Sequence, residues 1–346
     1  MTIVEPLPPW AGRGAGYLNT ASYGLPPDAA VDAAAAWIEQ WRAGSAPLAD
    51  WLAPTDQARA AFAALTGVAA ADVATGTSVS QLVGLVAASV PDGSLVLAEE
   101  GEFTSLLFPF LVQAGRGVQV ETVPRDRLPD VAAERGDVVA FSLVRSSDGT
   151  PVDHAAISAA AAARGALTLA DASQACGWMA LAEQRFDLLV APAFKWLGAP
   201  RGTAFLALRP EHVEWLVPVD AGWWASPGAA QQFGGPLALA PDARRLDTSP
   251  VWNSWGATTA AMTTVADLGV DPLRHHVLGL ADRFCRGRGL PAAATPIVEV
   301  RGAAVADRLA RAGVVVTRRP HGARLSFGPA TSSADVDRAL EALDGR

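Results

Sequence analysis

The sequence predicts an α/β fold: a large unit on a mainly parallel sheet flanked by helices, then a small α+β unit at the C-terminal end. Three observations carry the prediction. Between about residues 70 and 210, short apolar runs of β type alternate with Ala-rich stretches of helix length, the pattern of strands joined by crossover helices. After Pro250, helical patterns resume and three further apolar β runs follow. The length, 346 residues, suits about two domains, and the change of pattern divides them as 1–249 and 250–346.

In chain order, strands are expected at Ser94–Ala98, Gly117–Thr122, Asp137–Leu143, Ala166–Ala170, Leu188–Val190 and Thr203–Leu208. The stretch Ala155–Arg164 reads as a helix between two of them. From Ala221 to Pro241 the chain is rich in Gly and Pro without a helical period, a loop long enough to be functional or an interface. Helices follow at Asn253–Leu268 and Pro272–Arg286, the adjacent His275 and His276 being read as helix surface. Strands at Ile297–Val300, Val314–Thr317 and Arg324–Phe327 and helices at Ala303–Arg311 and Ser333–Leu343 complete the small unit.

Composition bounds the function. There are 27 Lys+Arg against 35 Asp+Glu, a net charge of −8, which argues against nucleic acid as the partner, because phosphate backbones need a surplus of positive charge. No apolar run reaches the roughly 18 residues of a membrane span, and the opening stretch lacks the pattern of a signal peptide. Cys176 and Cys285 have no metal or redox spacing, and a reducing cytoplasm is the expected compartment. No metal site is expected. GRGAG at 12–16 follows no strand and opens no helix, so it is not a dinucleotide fingerprint, and a nicotinamide enzyme falls away with it.

Among the 27 basic residues, Lys195 is the only lysine. A lysine that survives where arginine fills every other basic position is a candidate for chemistry arginine cannot do, since an amine can lose its proton and become a nucleophile. Lys195 follows a strand ending near Val190, on the rim where open α/β sheets bind ligands. The preceding strand ends in Asp171. A salt bridge or a turn cap would account for this pair, but so would a pyridoxal phosphate site, with the lysine as Schiff-base donor and the acid keeping the pyridine nitrogen protonated. That reading demands a phosphate cradle, best at a helix N-terminus. Thr75-Gly-Thr-Ser78, ahead of the helical VSQLVGLVAASV, supplies one through Thr77 and Ser78.

These segments, with YLNTASYGLPP (17–27), EGEFTS (100–105), DASQACGW (171–178), FKWLGAPRG (194–202) and ARLSFGP (323–329), resemble the class V aminotransferase family, the fold-type I pyridoxal phosphate group that includes cysteine desulfurases and kynureninase. The resemblance covers nearly the whole chain. It implies Lys195 as Schiff-base lysine, Asp171 as pyridine partner, Gln174 on the cofactor's phenolic oxygen and Phe103 stacked on its ring. It also implies Thr77 and Ser78 at the phosphate, Arg324 on a substrate carboxylate and Asn19 beside the substrate pocket. Family members are usually homodimers with shared sites. Trp223 or Trp224, Thr248 and Ser249 are accordingly expected to reach the partner subunit's phosphate.

The departures are equally specific. Where the family often has a phosphate-binding serine, three residues before the lysine, this chain has Pro192. Where His or Tyr is common, it has Phe194. No cysteine lies in VVVTRRPHGARLS, so the sulfur-carrying cysteine of desulfurases has no counterpart and that activity is not expected. The resemblance implies an aminotransferase acting on a small amino acid, with a β-eliminating lyase as the alternative. Pro192 and Phe194 also leave room for a non-catalytic relative.

Overall fold

The structure, a computed structural model, describes residues 4–45, 47–182 and 186–344. Two helices, α1 (Asp28–Ala43) and α2 (Leu48–Thr66), precede β1 (Val73–Gly76) and α3 (Val79–Ser89). Then come β2 (Leu95–Glu99), α4 (Thr104–Leu111), β3 (Gln119–Val123), α5 (Leu128–Glu134), β4 (Val138–Ser142), α6 (His154–Arg164), β5 (Leu167–Asp171), β6 (Leu188–Pro192) and β7 (Ala204–Leu208). The remainder holds α7 (Trp252–Leu268), α8 (Val270–Gly287), β8 (Ile297–Arg301), α9 (Val305–Arg311), β9 (Thr317–Arg319), β10 (Gly322–Ser326) and α10 (Ser333–Asp344). Local chemistry sets the helix ends. Asp153 accepts a 3.0 Å hydrogen bond from the Ala156 N–H to start α6, and Gly165 closes it in the left-handed region at φ 71°.

The first seven strands form one sheet in the order β1-β7-β6-β5-β4-β2-β3. Neighbours from β3 to β6 pair parallel, whereas β7 pairs antiparallel with both β6 and β1. Only β7 therefore runs against the others, and β1 points the same way as β5 and β6. Every residue of β4, β6 and β7 is buried, which is why these strands read as continuous apolar runs without alternation. On one face Leu82, Leu85 and Val86 of α3 share a buried cluster with Leu169 and Val190. On the other, Phe62 of α2 stacks on Phe205 of β7 at 4.5 Å, and Trp255 of α7 meets Phe205 edge-on at 5.6 Å. Each such fully buried ring is worth about 1.5–3 kcal/mol over its exposed state. No helix among the described residues is long and apolar enough to cross a membrane.

The second sheet is antiparallel, β8-β10-β9. The chain passes between the two cores inside α8: Leu273 and Val277 belong to the large one, while Leu280 and Phe284 pack with Phe327 under the small sheet. The expected domain division lies after residue 249; the packing itself changes partners later, inside α8. Expected strand ends lie within two residues of the observed ones, with one exception. Of Val314–Thr317 only Thr317 enters a small-sheet strand, because Val315 bridges to Tyr17 of the N-terminal segment instead. His276 also departs from its reading as surface. A helix turns its faces by about 100° per residue, and this puts His276 inward, buried, with Nε2 3.0 Å from the Thr331 carbonyl.

Candidate active site

Because β1, β5 and β6 run in one direction, their carboxyl ends share a rim. From β1 the chain enters α3 at Ser78, β5 ends in Asp171, and β6 leads into the turn bearing Lys195. That turn is pinned at its base, with the Ala193 N–H donating to the Thr203 carbonyl at 3.1 Å and the Gly198 N–H to the Lys195 carbonyl at 3.1 Å. The N-terminal segment crosses it at Gly24, whose N–H donates to the Phe194 carbonyl at 2.9 Å. A Cβ at Gly24 would stand 1.7 Å from the Lys195 carbonyl oxygen, so only glycine allows this approach.

A cavity of about 430 Å³ opens on the rim, lined by Ser78, Phe103, Asp171, Gln174, Lys195 and Arg324 among others. Lys195 is half-buried, its Nζ 5.6 Å from the centre of the Phe103 ring. Burial pushes its pKa down to about 8; Asp171 opposes this, and Arg324 and Arg201 add to it. Asp171 is buried, and its Oδ1 accepts the Ser173 N–H at 2.7 Å. Burial holds its carboxyl above the usual range against the opposing pull of Lys195.

Arg324 is 2% exposed, yet among the described residues no carboxylate lies within 4.0 Å of it. Its Nη1 donates to the Ser146 carbonyl at 2.5 Å and Oγ at 3.1 Å, and its Nη2 to Ser22 Oγ at 2.6 Å and Thr317 Oγ1 at 3.1 Å. All its acceptors are neutral, and Nε is buried without one. Burial foremost, and then the Arg319 guanidinium, bring its pKa down to about 10. A buried cation without a counter-ion is a receptor for an anion.

Gln174 is engaged throughout. Its Nε2 donates to the Ala21 carbonyl at 3.0 Å and to Ser146 Oγ at 3.1 Å, and its Oε1 accepts from Trp196 Nε1 at 2.9 Å. Both amide hydrogens are thus taken within the protein. Six expected contacts do not line the cavity. Asn19 lies behind Thr317, accepting its hydroxyl at 2.6 Å. Thr77 is exposed, its N–H donating to Gln81 Oε1 at 3.3 Å, and shares a narrow crevice with Thr248 and Ser249. Trp223 donates through Nε1 to Ser249 Oγ at 3.3 Å, and Trp224 is buried with the Arg244 guanidinium 5.0 Å from its ring.

The segment holding Thr248 and Ser249 is anchored by Asp247. This fully buried residue accepts from the Thr75 N–H at 2.7 Å and from Arg59 Nη2 at 2.6 Å. Sequence reasoning missed several residues here. Arg201, Arg319, Ser22, Ser146 and Thr317 line the cavity. Glu102 is buried, accepting the Phe103 N–H at 2.6 Å and Ser142 Oγ at 2.6 Å, so it ties the Phe103 turn to the end of β4. Glu102 stands in the quoted EGEFTS segment, but nothing in that segment shows that it reaches β4.

The donor set fits pyridoxal phosphate. A single amine of lowered pKa faces the cavity, a buried carboxylate ends β5, a helix N-terminus opens at Ser78, and the buried guanidinium has no anion beside it among the described residues. The model of the Aminotransferase class-V family matches residues 50–284. Kynureninase from Deinococcus radiodurans is 31% identical over 82% of this chain and 70% of its own. Isopenicillin N epimerase from Streptomyces clavuligerus is 28% identical over 83% of each. The solved complex of the cystine C–S lyase C-DES with its product cysteine persulfide superposes with a TM-score of 0.85 at 18% identity, covering 96% of this chain and 97% of that one. The chain belongs to the class V aminotransferase family, on the fold of the pyridoxal phosphate enzymes, and pyridoxal phosphate is its cofactor.

Proposed function

We propose that the protein is a lyase that removes the Cα proton of a small amino acid and expels an anionic β-substituent. The observation that carries this is the second guanidinium beside the carboxylate receptor: Arg319 Nη2 and Arg324 Nη1 share the Ser146 carbonyl, at 3.0 and 2.5 Å. Arg324 binds the substrate α-carboxylate, for which its planar fork is suited. Arg319, with Nε buried and unpartnered, offers positive charge to a leaving group. Lys195 Nζ takes the Cα proton, an exchange its pKa of about 8 suits near neutral pH. With the cofactor bound, Asp171 would keep its ring nitrogen protonated, Phe103 would lie against its ring and Ser78 would hold its phosphate. Bound pyridoxal phosphate supplies the electron sink for the charge left at Cα. Gln174 would hold the phenolic oxygen in exchange for one of the two acceptors its Nε2 now has.

Amino transfer is the second reading, favoured by the family description and needing the same residues. Sulfur transfer through a protein persulfide does not belong to the proposal. Cys176 is buried with its thiol pushed up to about 12, and Cys285 is buried on α8. The proposal includes a homodimer of the cytoplasm, with Trp223, Thr248 and Ser249 serving the partner subunit's site; Trp224, packed inside its own subunit, supports that loop. Asn19 acts through Thr317.

The test is a panel of amino acids with and without β-leaving groups, each assayed with and without a keto acid. Pyruvate and ammonia formed from β-substituted amino acids without an acceptor are expected. Turnover only when a keto acid is added would overturn the lyase reading in favour of amino transfer. Borohydride reduction of the holoenzyme is expected to fix the cofactor on Lys195, and a Lys195→Ala variant that still carried the reduced adduct would remove the basis of both.

A further inference from the structure

The phosphate wall of the cavity lacks two side chains that would be expected there. Pro192 has no hydroxyl and Phe194 no ring nitrogen, yet both line the cavity together with Ser78, Val79 and Ser80 at the start of α3. A helix N-terminus contributes about half a positive charge, whereas a phosphate monoester carries close to two negative ones. Arg201 lines the same cavity, its guanidinium stacked on the Phe194 ring with Cζ 4.3 Å from the ring centre. Among the described residues it has no carboxylate within 4.0 Å, and no side-chain hydrogen bond spends its donors. Its backbone is fixed. The Arg201 carbonyl accepts from Ser254 Oγ at 3.0 Å, and Gly202 turns the chain into β7 with φ +98°. The ring that replaces an imidazole thus serves as the platform that holds a guanidinium over the cavity.

We propose that Arg201, seated on Phe194, is the principal counter-ion of the cofactor's phosphate and takes over the contacts that Pro192 and Phe194 cannot make. The inference rests on the cavity being the cofactor site. A stacked guanidinium loses little freedom on binding and offers paired N–H donors to phosphate oxygens, which a lysine at this position would not. It also explains why the aromatic residue before Lys195 need not carry a donor in this chain.

The experiment compares two ligands that differ only in the phosphate. Holoenzyme of the wild type and of Arg201→Gln is stripped of cofactor and titrated with pyridoxal phosphate and with pyridoxal, followed by visible absorbance. Arg201→Gln is expected to weaken pyridoxal phosphate about ten- to a hundredfold and to leave pyridoxal within about twofold, so the ratio of the two affinities collapses. A ratio unchanged from the wild type, whether both ligands weaken together or neither does, overturns the proposal. Arg201→Met keeps the apolar stem on Phe194 and is read by the same ratio if the Gln variant does not fold. A wild-type chain that takes up neither ligand at Lys195 would instead overturn the reading of the cavity itself.

Discussion

At the scale of single residues, the lone amine is the clearest case of environment setting chemistry. Burial in the cavity pushes Lys195 down to about 8, which leaves about a tenth of it neutral at pH 7, against about one part in three thousand for an unperturbed lysine. Capture of pyridoxal phosphate by stripped enzyme is therefore expected to quicken about fivefold from pH 7 to pH 8 and to level off above pH 9. The rate of visible absorbance change reads this directly. A rate still climbing tenfold per pH unit at pH 9 would show an ordinary lysine. Lys195 and Asp171 were legible in the sequence because one is unique in composition and both follow apolar runs. Arg201, Arg319 and Glu102 stand in segments the sequence singles out, FKWLGAPRG, VVVTRRPHGARLS and EGEFTS, but nothing there gives them a role until the fold turns them into the cavity or beneath it.

At the scale of elements, the rim is assembled by strand direction. A reading of apolar runs finds β2 to β7 but passes over β1, because four residues ending in Thr-Gly look like loop and depend on β7 for pairing. Reversal of β7 is what brings β1, and with it Ser78, into line with Asp171 and Lys195. β1 is held from outside the sheet by the buried pair Asp247–Arg59, with Arg59 also donating to the Val73 carbonyl. Replacing Asp247 by Ala takes away that guanidinium's buried partner and leaves it only the part-exposed Asp56, 3.3 Å from Nε, and about 3 kcal/mol of unfolding free energy is expected to be lost. Urea unfolding of the stripped and loaded protein measures it, and a loss below about 1 kcal/mol would show that the pair is not what fixes β1. Helices α1 and α2 were not assigned from the sequence. Most of α1 is exposed, and with only Ala30 fully buried it has little apolar period to read.

At the scale of the whole molecule, the surface carries apolar groups that the rest of the chain does not cover. Phe233 is 91% exposed and Leu237 80%, both in the loop that begins near the tryptophan pair. A dimer of 35.7 kDa chains is expected in sedimentation equilibrium, with these residues in its interface. If Ser249 serves the opposite site, mixing inactive Lys195→Ala subunits with inactive Ser249→Arg subunits regenerates roughly a quarter of native activity, because half the dimers are hybrids with one intact site each. No recovery after mixing and redistribution would place Ser249 in its own subunit's site. The N-terminal segment carries a different consequence. It donates from Leu18 to Val315, accepts at Leu18 from Ser326, and donates from Gly24 to Phe194 beside the lysine. At one end these residues bridge Val315 to Ser326 at the end of β10, and at the other they brace the lysine turn. Cutting the chain before residue 25 would not trim a tail. It would unstitch the seam between the two sheets and leave the amine's turn without its outer support.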